Sequence, residues 1–205
     1  YIAEDALTDI VLDLDPLDAV TDLEKALQSG SPLVHDDLPS NLAAHVVQHK
    51  GNYEEARARA DVVIRRRILV DRGAAAALEN RGYVAWWDPK MQQLTLWATT
   101  QAPIALRNVM ASLLGLSETD VRVIAPFVGG GFGPKIMLAQ PEEVLLCWST
   151  MKLGRPIKWI EDRAENFVCT TQERSQLHDV ELALTREGKI LGMKDVFLHD
   201  TGAYD

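Results

Sequence analysis

The stretch Gly129-Gly130-Gly131-Phe132-Gly133-Pro134-Lys135 is the part of this sequence best suited to chemistry. Successive glycines let a backbone take left-handed conformations and come close to another group. Exposed N–H groups in such a turn, between a strand and a helix, can bind an anion or an oxygen of a cofactor. Spacing excludes two common phosphate binders. A dinucleotide fingerprint needs G-x-G-x-x-G, but the last position is Pro134 counted from Gly129 and Ile136 counted from Gly131. A P-loop needs glycine before its lysine and Ser or Thr after it, and here Pro134 and Ile136 flank Lys135. Taken alone, the loop is equally compatible with a structural turn packed beneath a neighbouring element.

The other reactive residue types carry less. His45 and His49 are spaced to share a helix face. Val46 stands where a zinc protease has its glutamate, however, and Gly51-Asn52 would end the helix, so no metal site is expected there. Cys147 and Cys169 match neither a zinc nor an iron–sulfur spacing. Cys147 lies in the apolar run Val144-Leu145-Leu146-Cys147-Trp148 and reads as a buried thiol. Glu142-Glu143 follows Pro141, where carboxylates suit a helix start. Trp86, Trp87, Trp97, Trp148 and Trp159 fall in strand or helix patterns and read as core. No nucleophile elbow of the G-x-S-x-G type is present.

The elements that must position the loop can be read from periodicity and punctuation. Ile10-Val11-Leu12-Asp13-Leu14-Asp15 alternates apolar and acidic, a strand signal that Pro16 ends. Asp22 to Leu27 reads as one or two helical turns. Residues 29–52, rich in Ser, Gly, Pro, His, Asp and Asn, read as a long connection. Asn52 caps a helix that begins Tyr53-Glu54-Glu55-Ala56. Strands are expected at Asp61–Val70, Tyr83–Trp87 and Leu94–Thr99, the last two joined at Asp88-Pro89-Lys90. Pro103 opens a helix that Gly115 closes, with Ile104, Leu106, Val109, Met110, Leu113 and Leu114 as candidate apolar-face positions. Val121–Ala125 is a strand leading into the glycine loop. A helix is expected to follow the loop, restarted at Pro141 and stopped at Gly154, then a strand from Pro156 to Glu161, and a hairpin joins Val180–Leu184 to Ile190–Leu198. The result is an α+β protein, with mixed sheets and flanking helices.

Bulk properties narrow the function classes. With 205 residues, 47% of them hydrophobic and 25% charged, the chain can bury a sizeable core without disulfides. A net charge of −9 argues against nucleic acid as a partner, since phosphates need clustered Lys and Arg. The basic run Arg65-Arg66-Arg67 reads as an exposed strand. No apolar run approaches the roughly 18 residues of a membrane span. The acidic start Tyr1-Ile2-Ala3-Glu4-Asp5 is no signal peptide, and the cysteine usage suits a reducing, cytoplasmic compartment. The beginning at Tyr1 and the stop at Asp205, directly after a hairpin, lead us to expect an internal piece of a longer chain.

Several motifs occur in a telling order. Thr99-Thr100-Gln101 precedes a helix, then come Leu114-Gly115-Leu116, Val121-Arg122-Val123-Ile124-Ala125-Pro126 and Gly129 to Lys135. This series resembles the molybdopterin-binding large subunit of the xanthine oxidase family, in particular its bacterial branch of carbon monoxide dehydrogenase, aldehyde and N-heterocycle hydroxylases. Arg155 to Glu165, Thr185 to Leu191, Asp200-Thr201-Gly202-Ala203-Tyr204 and Leu78-Glu79-Asn80-Arg81-Gly82 resemble further parts of it, with Asn80 where the family has proline. Ala3-Glu4-Asp5-Ala6 and Asp13-Leu14-Asp15-Pro16-Leu17 resemble the end of the small domain that precedes the molybdenum domain.

The resemblance implies an organisation and a set of roles. Residues 1–28 would be the C-terminal tail of a small α/β, hammerhead-like domain, 29–52 a linker, and 53–205 the first part of the molybdopterin-binding domain. Gln101 matches the glutamine whose amide hydrogen-bonds the oxo or hydroxo group on molybdenum. Gly130, Gly131, Phe132 and Gly133 match residues at the cofactor, where side-chain bulk would hold the backbone away. The implied cofactor is molybdenum with molybdopterin, in its cytosine dinucleotide form. The implied partners are an iron–sulfur small subunit carrying [2Fe–2S] clusters, an FAD-binding medium subunit and a small-molecule substrate. The family's purine-binding glutamate is replaced by Ile136, which cannot supply that hydrogen bond and argues against purine specificity. No glutamate here matches the family's late catalytic base, so no catalytic residue is assigned and the chain by itself is expected to be inactive. The competing reading is a non-enzymatic α+β interaction module whose glycine turn is structural; an anion- or nucleotide-binding domain is the third.

Overall fold

A computed structural model describes residues 2–136 and 139–203. In chain order the elements are α1 (Ile2–Leu7), α2 (Leu23–Ala26), α3 (Tyr53–Ala58), β1 (Val62–Ala74), β2 (Gly82–Asp88), β3 (Gln93–Ala98) and α4 (Pro103–Leu114). A short 3-10 turn (Glu118–Asp120), β4 (Val121–Ile124), α5 (Pro141–Leu153), β5 (Ile157–Ile160), α6 (Arg163–Cys169), β6 (Gln172–Leu184) and β7 (Ile190–His199) follow. The architecture is α+β, as the sequence implies. The chain forms two compact units, one from Tyr1–Val70 with Ser175–Asp205 and the other from Asp71–Arg174.

The first unit is built on a three-stranded sheet ordered β1-β6-β7, with β6 and β7 antiparallel. Asn52 caps α3 through its side chain, as its sequence position predicts. Helix α3 packs on β7 at Gly192, where an added Cβ would stand 2.9 Å from that of Ala56. The Tyr53 hydroxyl donates to Glu181 Oε2 (3.0 Å), and Arg65 pairs with the same carboxylate at 3.0 Å. Arg67 pairs with Asp179 and Glu24, so much of the basic run is neutralised within the unit. Between α2 and α3 the connection is irregular but organised by Asn41, which donates to the carbonyls of Ala26 and Pro32 and accepts from Val34.

One expectation fails here. Ile10 to Asp15 forms no strand, and its apolar side chains are exposed. Alternation signals a strand only where a second strand takes up its hydrogen bonds, and none of the described strands lies beside this segment. His45 and His49 lie in irregular chain, not on a helix. Tyr204, which ends one of the quoted motifs, is outside the described residues.

The second unit holds a four-stranded sheet ordered β4-β3-β2-β5. Strands β2 and β3 form a hairpin whose turn is closed by Asp88 Oδ1 accepting from the N–H groups of Lys90 and Met91. Strand β5 joins β2 antiparallel, while β4 joins β3 in parallel. A parallel neighbour needs a crossover, and α4 provides it, started by Pro103 and stopped by Gly115 in the left-handed region. The core between this sheet and helices α4 and α5 contains Tyr83, Ala85, Leu94, Leu96, Leu106, Met110, Leu146 and Cys147. Burial of each large side chain of this kind contributes about 1.5–3 kcal/mol.

Sequence patterning overstates that core in places. Ile104 and Leu113 of α4 are exposed, as are Trp86 and Trp148. A 12-residue helix presents only one stripe to the sheet, and Leu106, Met110 and Ala111 already fill it. Helix α6 was not expected, although Asp162 and Glu165 form a capping box at its start.

Candidate functional site

The parallel pairing of β3 and β4 decides where the site lies. Both strands end at the same edge of the sheet, so residues 99–101 and the loop after Ile124 leave side by side. In open sheets with parallel strands, the carboxyl ends are where ligands collect. Topology thus brings Gln101 beside a loop some 30 residues further along the chain.

The contact is close and depends on a missing side chain. A Cβ at Gly131 would fall 2.2 Å from Gln101 Cδ and 2.3 Å from its Oε1. The Gln101 amide therefore occupies the space a side chain would need. The Gly133 N–H donates to Gln101 Oε1 at 3.2 Å, which fixes the oxygen end of the amide and leaves Nε2 as a donor facing elsewhere. Among the described residues, nothing accepts a hydrogen bond from that Nε2. Gly130 (φ +96°), Phe132 (φ +54°) and Gly133 (φ +103°) all lie in the left-handed region. For Phe132 this is a sparsely populated conformation that the surroundings must enforce. Its side chain is exposed.

What enforces it is a clamp that sequence reading missed. Glu79 Oε2 accepts from the Gly129 N–H (2.7 Å) and from Lys135 Nζ (2.8 Å), so one carboxylate fastens both ends of the loop. The Glu79 N–H also donates to the Gly129 carbonyl at 3.2 Å. The Lys135 carbonyl accepts from the Gln101 N–H (2.9 Å) and from Thr100 Oγ1 (3.2 Å). Lys135 is buried, so its ammonium depends on that partner. Partial burial opposes the charged form of Glu79, but the hydrogen bonds from Lys135 and Gly129 outweigh it and hold the carboxyl below its ordinary range. The available signal was a lysine inside a glycine loop, which needs a counter-ion once the loop packs down.

The segment bearing Glu79 is itself held from behind. Arg81 is buried and donates to Glu161 through Nε (2.9 Å) and Nη2 (2.7 Å), with Glu142 at 3.3 Å. Asn166 donates to the other oxygen of Glu161 at 2.9 Å. The Arg81 guanidinium also lies over Trp159, which stacks on Tyr83. Arg163 of α6 donates to the carbonyls of Ala77 and Leu78. Asn80 donates to the Glu161 carbonyl, while its Oδ1 is buried without a partner among the described residues.

The remaining candidates are placed as follows. Glu143 caps α5 as expected, accepting from the Gln140 N–H at 3.0 Å, and is buried. Burial pushes its carboxyl up to about 7 despite hydrogen bonds from Gln140 and Tyr83. Cys147 is buried and Cys169 exposed. Among the described residues, no group of His, Cys, Asp or Glu could hold a metal ion, and no helix is long and apolar enough to cross a membrane. Ile136, at the position compared with a purine-binding glutamate, is half-exposed beside the turn that its N–H makes with the Gly133 carbonyl (2.8 Å).

The chain is similar in sequence and fold to several known proteins. The chain is 37% identical over 204 residues to the 6-hydroxypseudooxynicotine dehydrogenase complex subunit gamma of Paenarthrobacter nicotinovorans, matching all of this chain and 25% of that protein. It is 35% identical over 218 residues to the carbon monoxide dehydrogenase large chain of Hydrogenophaga pseudoflava, matching all of this chain and 27% of that one. The solved structure of quinoline 2-oxidoreductase from Pseudomonas putida 86 superposes with a TM-score of 0.90 at 37% identity, over 99% of this chain and 26% of its own. The chain thus spans about a quarter of the length of these relatives. The family model of the molybdopterin cofactor-binding domain matches residues 34–205, and the chain belongs to that family.

Proposed function

We propose that this chain helps to hold molybdopterin in the large subunit of a molybdenum hydroxylase, and that Gln101, Gly130, Gly131, Phe132 and Gly133 are its cofactor contacts. The observation that carries the reading is the Gln101 amide seated where a side chain at Gly131 would be, its oxygen end held by Gly133 and its Nε2 without an acceptor among the described residues. Such a cradle of N–H donors fits an oxygen-rich acceptor group. A side-chain amide donates without changing charge, and a glycine backbone lets a planar group approach. When bound, the cofactor supplies a redox centre that accepts two electrons and activates water as the oxygen source.

This chain's residues orient and hold. Gln101 presents a donor whose direction the Gly133 N–H fixes. The N–H groups of Gly130, Gly131 and Phe132 make no hydrogen bond among the described residues and would serve the same group. The proton acceptor for the reaction is assigned outside residues 1–205. Within them Glu79 and Glu161 are committed to Lys135 and Arg81, and Glu143 is buried in the first turn of α5.

The finer features follow from the same likeness. The cofactor is taken to be the cytosine dinucleotide form, with [2Fe–2S] clusters and FAD carried by a small and a medium partner subunit. The substrate is a small molecule such as an aldehyde, an N-heterocycle or one of the size of carbon monoxide. Residues 1–28 are assigned to the preceding hammerhead-like domain, 29–52 to a linker and 53–205 to the start of the cofactor domain. Two unpaired cysteines support a cytoplasmic setting. The test is metal and nucleotide analysis of the complete purified subunit. Molybdenum and cytidine nucleotide should be found together and be depleted by Gln101→Ala or Gly131→Ala. A subunit that carries neither metal nor nucleotide, from cells supplied with molybdate, refutes the reading.

A further inference from the structure

We propose that Glu79 and Lys135 are a positioning pair, which sets the glycine loop and, through it, the direction of the Gln101 amide. The inference rests on the reading of Gln101 as a cofactor contact, and extends it to two residues outside the proposed contact set. Four observations carry it. Glu79 Oε2 receives both the Gly129 N–H and Lys135 Nζ, so the seven residues from Gly129 to Lys135 close into a ring through one carboxylate. The Glu79 N–H fixes the Gly129 carbonyl as well, so side chain and backbone of one residue grip the loop's first peptide. At the other end, the Lys135 carbonyl holds the Gln101 backbone and the Thr100 hydroxyl, so the lysine that locks the loop also locks the base of the glutamine. Finally, Gly133, inside the ring, orients the far end of the Gln101 side chain.

The chemistry of the pair suits this task. Lys135 is 5% exposed, and its ammonium cannot stay in place without an anion. Glu79 sits on a segment anchored by Arg81, Glu161 and Arg163, so it acts as the fixed point and the loop as the moving part. Loss of the carboxylate would release the Gly129 N–H and expel the lysine, leaving only the Glu79 N–H on the Gly129 carbonyl, and the turn holding Gly130, Phe132 and Gly133 at positive φ would relax.

The complete subunit should be prepared as the parent, Glu79→Ala, Glu79→Gln, Gln101→Ala and the Glu79→Ala/Gln101→Ala double variant. Amide hydrogen exchange followed by mass spectrometry reads the loop directly and requires no turnover. In Glu79→Ala the amides of Gly129 and Gly133 should exchange about ten-fold faster or more, with β2 and β3 unchanged as the folding control. Glu79→Gln keeps an acceptor for both donors and should retain part of the protection. In turnover, Glu79→Ala should lower kcat by up to about a hundred-fold with KM retained, as for a displaced orienting group. The double variant should be no slower than Gln101→Ala alone, because both changes remove one interaction. Unchanged exchange at Gly129 and Gly133 overturns the clamp, and losses that multiply in the double variant overturn its action through Gln101. A Gln101→Ala subunit with full turnover would instead sink the cofactor reading and the positioning role with it, even where exchange shows the loop released.

Discussion

Gly131→Ala separates holding a cofactor from holding a fold. The new Cβ would lie 2.2 Å from Gln101 Cδ, whereas ordinary contact begins near 3.4 Å, so the amide must retreat by about 1.2 Å. Gly131 is not in the left-handed region, so alanine adds no backbone strain. The atoms in its way belong to an exposed, flexible side chain, and the loop need not move. The folded state should therefore lose little more than the Gly133–Gln101 hydrogen bond, about 1 kcal/mol. For a domain of this size alone that lowers Tm by about 2–4 °C, and by less in the longer complete subunit. A cofactor contact displaced by ~1 Å, by contrast, should cost about a hundred-fold in turnover if Gln101 orients the group as proposed. Differential scanning fluorimetry and steady-state kinetics on the complete subunit measure the two. Full turnover in Gly131→Ala would refute the reasoning, and so would loss of the folded subunit. Gly133→Ala is the matched control: nothing lies within 4 Å of its added Cβ, but φ is +103°. It should cost about 1–3 kcal/mol through strain alone.

Further outcomes can be checked on the same protein. Glu143 titrates near 7 when folded and near 4.5 when unfolded, so the native state binds its proton more tightly and loses stability as pH rises through that window. The loss is on the order of 3 kcal/mol, and urea midpoints of Glu143→Gln relative to the parent should rise between about pH 5 and about pH 8; parallel curves would contradict this. Arg81→Met strands Glu161, whose side chain is fully buried, and should cost about 3–5 kcal/mol. Adding Glu161→Met should recover part of that in the same urea titration. In native protein a thiol reagent should label Cys169 and spare Cys147, whose thiol burial pushes up to about 12, as peptide mapping can show.

The legible parts of this chain were those in which local chemistry decides. Pro103 and Gly115 bound α4, Asn52 caps α3, and Asp88 closes the β2–β3 turn, all through interactions within a few residues. Reading failed where a partner decides. The alternation at Ile10 to Leu14 needs a neighbouring strand that is not among those described. Ile104, Trp86 and Trp148 were assigned to a core that Leu106, Met110 and Tyr83 already fill. Helix α6 has no apolar period, and only its Asp162–Glu165 box marks it in the sequence. At the site, the glycine loop drew notice by itself and Gln101 only through a resemblance. The Glu79–Lys135 pair spans 56 positions, and no local pattern joins residues so far apart.

Apart from the Lys135 ammonium, the loop is gripped through its peptide groups: the Gly129 N–H and carbonyl, the Gly133 N–H and the Lys135 carbonyl. Peptide groups are alike whatever side chain they carry, so a holder of this kind is blind to the identity of its outward-facing neighbours. Phe127 and Ile136, which flank the ring and face water, can be exchanged without disturbing the grip. The fringe of the loop is thus free to change while the frame that the clamp holds stays in register.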